Sequence, residues 1–311
     1  LATYNGNRFL REQLDSIYSQ TYGNIEVVAC DDCSSDDTAA ILEEYRKRHG
    51  LRYLVNESNL GFMRNFEKII TLCRGEFIAL ADQDDVWLPE KLEKQLKGLG
   101  NASLVYSDAF LVDEAGRQLP GSLIRTSGVR PLSGKNFEYF VCNTCVTGCT
   151  TLFRRDLLIH ALPIPACETY HDWWLAVVAS RREGVNYMDS RLVKYRQHEG
   201  NDTGASVKRG LLPRLAAHLR GDTGKDKRRY YELLRNRANT YPAMETRLSL
   251  NASEMKFLGG IGRYAESLLD HRFHWESFFL AFRHRHTLFP AAGAIEKFVF
   301  VFSKLINKIA V

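Results

Sequence analysis

Strand-like and helix-like segments alternate without a break through roughly the first hundred residues, and this rhythm leaves the chain few architectures. Leu1-Ala-Thr-Tyr4 reads as a strand end. A turn follows at Asn5-Gly6, and then Phe9, Leu10, Leu14, Ile17 and Tyr18 recur at helical spacing. Further strands are expected over 25–30, 51–55, 76–81 and 103–108. Between them lie helices, one capped at Ser34-Ser35-Asp36 and others over 62–73 and 89–99. The pattern predicts an α/β fold of Rossmann-like type: a mostly parallel sheet flanked by helices. Ligands of such sheets lie beyond the carboxyl ends of the strands. Thr3, Asn5, Asp31, Asp32, Asn59 and Asp82 to Asp85 all fall there.

The stretch 109–150 is rich in Gly, Ser and Thr and reads as loops with short strands. A helix over 168–183 carries His171-Asp-Trp-Trp174. Strands are expected at 185–188 and 191–195, then a polar loop at 198–206. From residue 207 the chain turns to basic helices, over 211–219 and 225–237, followed by an aromatic stretch.

The apolar run Phe77-Ile-Ala-Leu-Ala81 ends abruptly in Asp82-Gln-Asp84-Asp85. Three carboxylates so close repel one another, and burying any of them uncompensated is costly. A hard divalent ion such as Mg²⁺ is one compensation, since it takes one or two carboxylates and completes its shell with phosphate oxygens. The other reading is a solvated acidic turn capping the helix near Pro89. Asp31-Asp32 can accept hydrogen bonds from a base and a ribose, or simply cap the next helix. Asn59-Leu-Gly61-Phe-Met-Arg64 offers close backbone approach and an arginine for base or phosphate, or an ordinary loop–helix junction.

His171-Asp172-Trp173-Trp174 places an acid among large apolar side chains. A carboxylate so desolvated can act as a general base, with the two tryptophans as a platform for a sugar; otherwise Asp172 pairs with an arginine. In Lys194-Tyr-Arg196-Gln-His198, His198 can be a neutral metal ligand and Arg196 can hold phosphate, although most lone histidines are not ligands. Cys142-Asn-Thr-Cys145 lacks the second pair that zinc needs, and Cys30-Asp-Asp-Cys33 lacks a redox context. All seven cysteines read as buried or incidental thiols. With no secretory leader in view, they point to a reducing, cytoplasmic location.

Taken in order, these segments resemble family 2 glycosyltransferases of the GT-A fold. The resemblance runs from Ala2-Thr-Tyr-Asn-Gly6 through Gln20-Thr21, Asp31-Asp-Cys-Ser-Ser-Asp-Asp-Thr38, Asp82-Gln-Asp84-Asp85 and His171-Asp172 to Tyr195-Arg-Gln-His198. It covers about residues 1–205. Asp82-Gln-Asp-Asp-Val-Trp-Leu-Pro89, His171-Asp-Trp-Trp174 and Tyr195-Arg-Gln-His198 look most like the bacterial rhamnosyltransferase branch, which builds cell-envelope polysaccharides. The resemblance implies donor contacts from Thr3, Tyr4, Asn5, Asp32, Arg64, Asp82 and Arg196. It implies a Mg²⁺ or Mn²⁺ ion on Asp84 and His198, and Asp172 as the base of an inverting transfer. His171, Trp173 and Trp174 would face the acceptor. The implied donor is dTDP-L-rhamnose, with a UDP-sugar (galactosyl, glucosyl or N-acetylglucosaminyl) as the alternative. A processive synthase would carry a Gln-x-x-Arg-Trp motif and membrane helices, and neither is seen.

Residues 1–206 carry 23 Lys/Arg against 28 Asp/Glu, whereas residues 207–311 carry 19 against 9. The expected division is therefore a catalytic, nucleotide-sugar-binding domain over 1–206 and a basic, largely helical region over 207–311. Lys208, Arg209, Arg214, Arg220, Lys225, Lys227, Arg228 and Arg229 give way to Phe273, Trp275, Phe278, Phe279 and Phe282, then to Phe298-Val-Phe-Val-Phe302 with Lys304 and Lys308. Basic charge beside aromatic surface suits a peripheral helix on anionic lipid at the inner face of the plasma membrane, near a lipid-linked or polysaccharide acceptor. The other reading is a helical appendage packed on the main domain or on a second copy in a homo-oligomer. No nucleic-acid reading module is recognisable. A nucleotidyltransferase would need a lysine-bearing glycine loop after the first strand, which Ala2-Thr-Tyr-Asn-Gly-Asn7 lacks. A non-catalytic glycan-binding protein would have no use for Asp84, Asp172 and His198 together.

Overall fold

A computed structural model describes residues 1–143, 145–165, 170–198, 224–269 and 275–288. All of the expected loop over 198–206 beyond His198, the helix over 211–219, Phe273 and the Phe298–Phe302 stretch with Lys304 and Lys308 lie outside the described residues.

The N-terminal half follows the predicted rhythm. Strand β1 (Ala2–Thr3) leads to helix α1 (Leu10–Tyr18), β2 (Val28–Asp31), α2 (Thr38–His49), β3 (Arg52–Val55) and α3 (Phe62–Leu72). Helix α1 forms because Leu10, Leu14 and Ile17 share one face and are buried together. All four residues of β2 are buried, as befits the central strand of a parallel set covered on both faces. Gly61 starts α3 at φ 78°, a left-handed conformation that a side chain would strain.

Then come β4 (Phe77–Ala79), β5 (Val86–Trp87), α4 (Lys91–Leu99), β6 (Leu104–Val112), α5 (Leu123–Ser127), α6 (Phe137–Cys142), β7 (Thr151–Arg154), α7 (Leu158–Ala161), α8 (His171–Arg181) and β8 (Val185–Arg196). Strands β1-β2-β3 pair in parallel, and a second sheet has the order β4-β7-β6-β8-β5. In the second sheet only β6 and β8 run parallel, while β4/β7, β6/β7 and β5/β8 are antiparallel. The α/β layering therefore holds, with the parallel character concentrated in the first sheet. The Ala2 amide donates to Ala81 O at 3.3 Å and joins the two sheets beside the acidic loop.

Two expected boundaries shift. Strand β6 runs on to Val112 because Ala109, Leu111 and Val112 bury their side chains in the core. The two strands expected at 185–188 and 191–195 are one strand, β8, whose register against β6 slips between Ser107/Met188 and Asp108/Arg191. Such a bulge absorbs the polar Asp189-Ser190 without ending the pairing.

The described C-terminal helices are α9 (Gly224–Ala238), α10 (Tyr241–Arg247), α11 (Ala252–Leu269), α12 (Trp275–Arg283) and α13 (Arg285–Leu288). Leu234, Met244, Phe257, Leu258 and Ile261 share a hydrophobic core with Phe140, Trp173, Trp174 and Val177. Arg237 donates to Val141 O at 3.0 Å, and Arg181 pairs with Glu254 at 2.8 Å. Among the described residues, no helix is long and apolar enough to cross a membrane.

Candidate active site

The acidic loop is tied to the first turn by a glutamine that the motif reading passed over. The Tyr4 amide donates to Gln83 Oε1 at 2.8 Å, and Gln83 Nε2 donates back to Tyr4 O at 3.0 Å. A Cβ on Gly6 would stand 2.1 Å from Gln83 Oε1, so only glycine lets this contact form. Asn5 takes a left-handed φ of 48° and accepts from the Ser35 amide at 2.9 Å. The Tyr4 side chain is exposed.

Thr3 and Asp32 stand behind this surface, and the expectation of direct donor contact needs correction for both. Thr3 is buried and donates to Asp31 Oδ1 at 2.9 Å. Buried Asp32 accepts from Asn56 Nδ2, Leu60 N and Gly61 N, each at 2.8 Å. These carboxylate–amide bonds shape the turn into α3 rather than present oxygens to a ligand. Arg64 pairs with Glu67 and donates to Ile164 O at 3.3 Å.

Two metal-ligating residues predicted from distant motifs meet. Asp84 Oδ2 and His198 Nε2 are 2.7 Å apart, with side chains 16% and 14% exposed. Asp85 points the other way. It is 1% exposed, its Oδ1 accepts from the Arg196 amide at 3.1 Å, and the Cys149 thiol is the further side-chain group beside the carboxylate. Burial, with Asp84 and Asp82 beside it, holds its carboxyl well above the ordinary range. Asp82, Asp85 and Cys149 also cluster, with donor atoms within 4.8 Å of one another. Of the two groups, Asp84 with His198 suits a diphosphate-bound ion better, because Asp85 and Cys149 are sealed in the core. A carboxylate with an imidazole, on the accessible side of the loop, fits Mn²⁺ or Mg²⁺.

Asp172 lies in the first turn of α8. Its Oδ1 accepts from the Trp173 amide at 2.6 Å and its Oδ2 from the Gly148 amide at 2.8 Å. Burial pushes its pKa up to about 6, against the pull of those two amides and of the Arg237 guanidinium. The Gly148-Cys149 turn thus lies between the two groups: the Gly148 amide holds Asp172, and Cys149 touches the acidic cluster.

Three further expectations change. Trp173 and Trp174 are each 1% exposed, and their indole N–H groups donate to Phe140 O and Ala161 O at 2.8 Å, so neither offers a face to a sugar. They belong to the core because α8 is apolar on every side. His171 is also buried, stacked on Phe66 at 4.0 Å, and burial lowers its pKa to about 3. Arg196 is 2% exposed, with its guanidinium held by protein oxygens instead of facing a phosphate. Gln83 and Asp85 carry the loop's architecture. Their only signal in the sequence is a polar residue in or beside a motif.

The model of glycosyl transferase family 2 matches residues 1–162. The chain is 30% identical over 223 residues to the dTDP-rhamnosyl transferase RfbG of Shigella flexneri, covering 67% of this chain and 74% of that one. Of three further relatives, from mycobacteria, the chain spans 57% of the length. Among solved structures, Staphylococcus aureus TarS 1–349 in complex with UDP-GlcNAc aligns at a TM-score of 0.58 and 17% identity, covering 92% of this chain and 80% of TarS 1–349. The Pyrobaculum calidifontis mannosyltransferase PcManGT, in complex with GDP-Man and Mn²⁺, aligns at 0.52 and 18% identity, covering 99% and 79%.

Proposed function

The chain belongs to glycosyl transferase family 2, and from that membership we propose an inverting, divalent-metal-dependent enzyme that moves L-rhamnose from dTDP-L-rhamnose to a hydroxyl of a lipid-linked or polysaccharide acceptor. The cell process it would serve is bacterial envelope glycan synthesis. The pairing of Asp84 with His198, and the seating of Asp172 on Gly148 next to Cys149 of the Asp82–Asp85 cluster, support this reading. The likeness to a dTDP-rhamnosyl transferase supports the choice of donor.

In this reading the nucleotide lies along the Tyr4-Asn5 turn, shaped from behind by Thr3 and Asp32, with Asp82 toward the ribose and Arg64 at the rim. Asp84 and His198 would hold Mn²⁺ or Mg²⁺, which when bound offsets the charge gathering on the departing nucleoside diphosphate. Asp172 takes the proton from the acceptor hydroxyl as that oxygen attacks the anomeric carbon opposite the nucleotide. The new C–O bond forms as the bond to the diphosphate breaks. A β-linked donor therefore yields an α-glycoside, with no sugar–enzyme intermediate.

We assign residues 1–206 to this catalysis and 207–311 to contacts with membrane, acceptor or a second copy. A thermal-shift panel of dTDP, UDP and GDP, each with and without Mn²⁺, tests the donor. Mn²⁺-dependent stabilisation by dTDP above the others is expected. A preference for UDP would replace rhamnose with a UDP-sugar, and no shift with any nucleotide would count against a donor site at all.

A further inference from the structure

One buried cation ties together the elements that carry the Asp84–His198 pair. Arg196 is 2% exposed, and its Nε donates to Asp84 O at 2.8 Å, on the acidic loop itself. Its Nη1 donates to Glu114 O at 2.9 Å, beyond the end of β6, and its Nη2 pairs with Glu12 on α1 at 2.6 Å. Its own amide donates to Asp85 Oδ1 at 3.1 Å, so backbone and side chain grip the same loop from two directions. Phe9 fills the remaining space, 4.7 Å from the guanidinium carbon and 5.2 Å from the His198 ring. His198 follows two residues later on the same stretch.

We propose that Arg196, latched by Glu12, is a positioning residue that sets Asp84 and His198 at the spacing a divalent cation requires. The inference rests on that pair being the cation's ligands. A planar guanidinium can serve three elements at once because its N–H groups diverge in fixed directions, which a lysine ammonium cannot reproduce. Removing the latch frees the end of β8 to move against the acidic loop, so the cation must then reorganise its own ligands. Outer contacts of this kind typically govern metal affinity rather than the chemical step.

The test measures Mn²⁺ binding by the loss of its free-ion electron paramagnetic resonance signal in the presence of dTDP. Donor turnover against Mn²⁺ is followed in parallel, for the unaltered chain, Glu12→Gln and Arg196→Lys. Glu12 is suited to this because its side chain is 55% exposed and its replacement leaves the core intact. The expected result for Glu12→Gln is about a ten-fold weaker Mn²⁺ affinity, with kcat at saturating Mn²⁺ within about two-fold of the unaltered chain. Arg196→Lys should weaken Mn²⁺ further, and dTDP affinity without metal should not change. An unchanged Mn²⁺ affinity in a folded Glu12→Gln protein would overturn the proposal. So would a raised donor KM that persists at saturating Mn²⁺, which would assign the guanidinium to the diphosphate instead. If the unaltered chain neither binds nor needs Mn²⁺, the ligand pair itself is refuted, and this control is read before any variant.

Discussion

Asp172 is held between opposing influences. Burial favours its protonated form, while two backbone amides, a helix N-terminus and the Arg237 guanidinium favour the carboxylate. The balance near 6 leaves it mostly ionised at neutral pH yet basic enough to accept a proton. Transfer rate should therefore rise with pH through about 6, since only the deprotonated form works as a base. Asp172→Asn should lower kcat by about 10²–10⁴-fold while leaving Mn²⁺ and dTDP affinities in place. A pH–rate profile that is flat through this region, or an active Asp172→Asn enzyme, would remove Asp172 from the role. The motif marked this carboxylate, but not the amides that hold it, because Gly148 is brought to it from 24 positions away.

Helix α4 carries a second buried charge, behind the acidic cluster, where Cys149 and Asp85 act on it. Lys91 is fully buried, donates to Gln95 Oε1 at 3.0 Å and lies 3.7 Å from the Trp87 ring centroid. Burial pulls its pKa down from 10.5 to about 7. A base with a lowered pKa in the folded state loses its proton there first, so folding is penalised most below about 7. The penalty is relieved as pH rises toward 10.5. Lys91→Met should accordingly stabilise the protein by about 1–4 kcal/mol near neutral or lower pH, with the gain shrinking on alkalinisation. Chemical denaturation at two pH values measures it, and destabilisation by Lys91→Met would show that the ammonium is well satisfied where it sits. The helical spacing of α4 was readable, whereas the burial of a lysine on it was not. Its depth follows from the packing of α4 against β6, β7 and β8.

At the scale of the molecule, the described C-terminal helices share a hydrophobic core with the α/β body. Arg237 on α9 stacks over Trp173 at 4.5 Å and its positive charge is felt by Asp172, so the basic region reaches that carboxylate. Phe279 on α12 is 62% exposed and Phe282 is 40% exposed, with Arg283 beside them. We propose that this face meets anionic lipid. Phe279→Ser with Phe282→Ser should cut co-sedimentation with phosphatidylglycerol vesicles about five-fold while leaving turnover of a soluble acceptor unchanged. Equal sedimentation of the double variant and the unaltered chain would refute this docking face.

The alternation of strands and helices through the first hundred residues and the acidic strand end were legible in the sequence alone, whereas the two helices inside 109–150, expected as loops with short strands, were not. Both are written in local spacing, which fixes apolar periodicity, while the roles expected of Asp84, Asp172 and His198 came from the family resemblance. Tertiary structure alone decided which polar groups face outward. Trp173, Trp174, His171 and Arg196 sit in or beside motifs, yet they are buried among partners up to 184 residues away. It also set three of the four pairings of the second sheet antiparallel, since an alternating pattern states which face of a strand is apolar but not its direction. Burial and pairing depend on contacts between distant segments, and a linear pattern does not record those contacts.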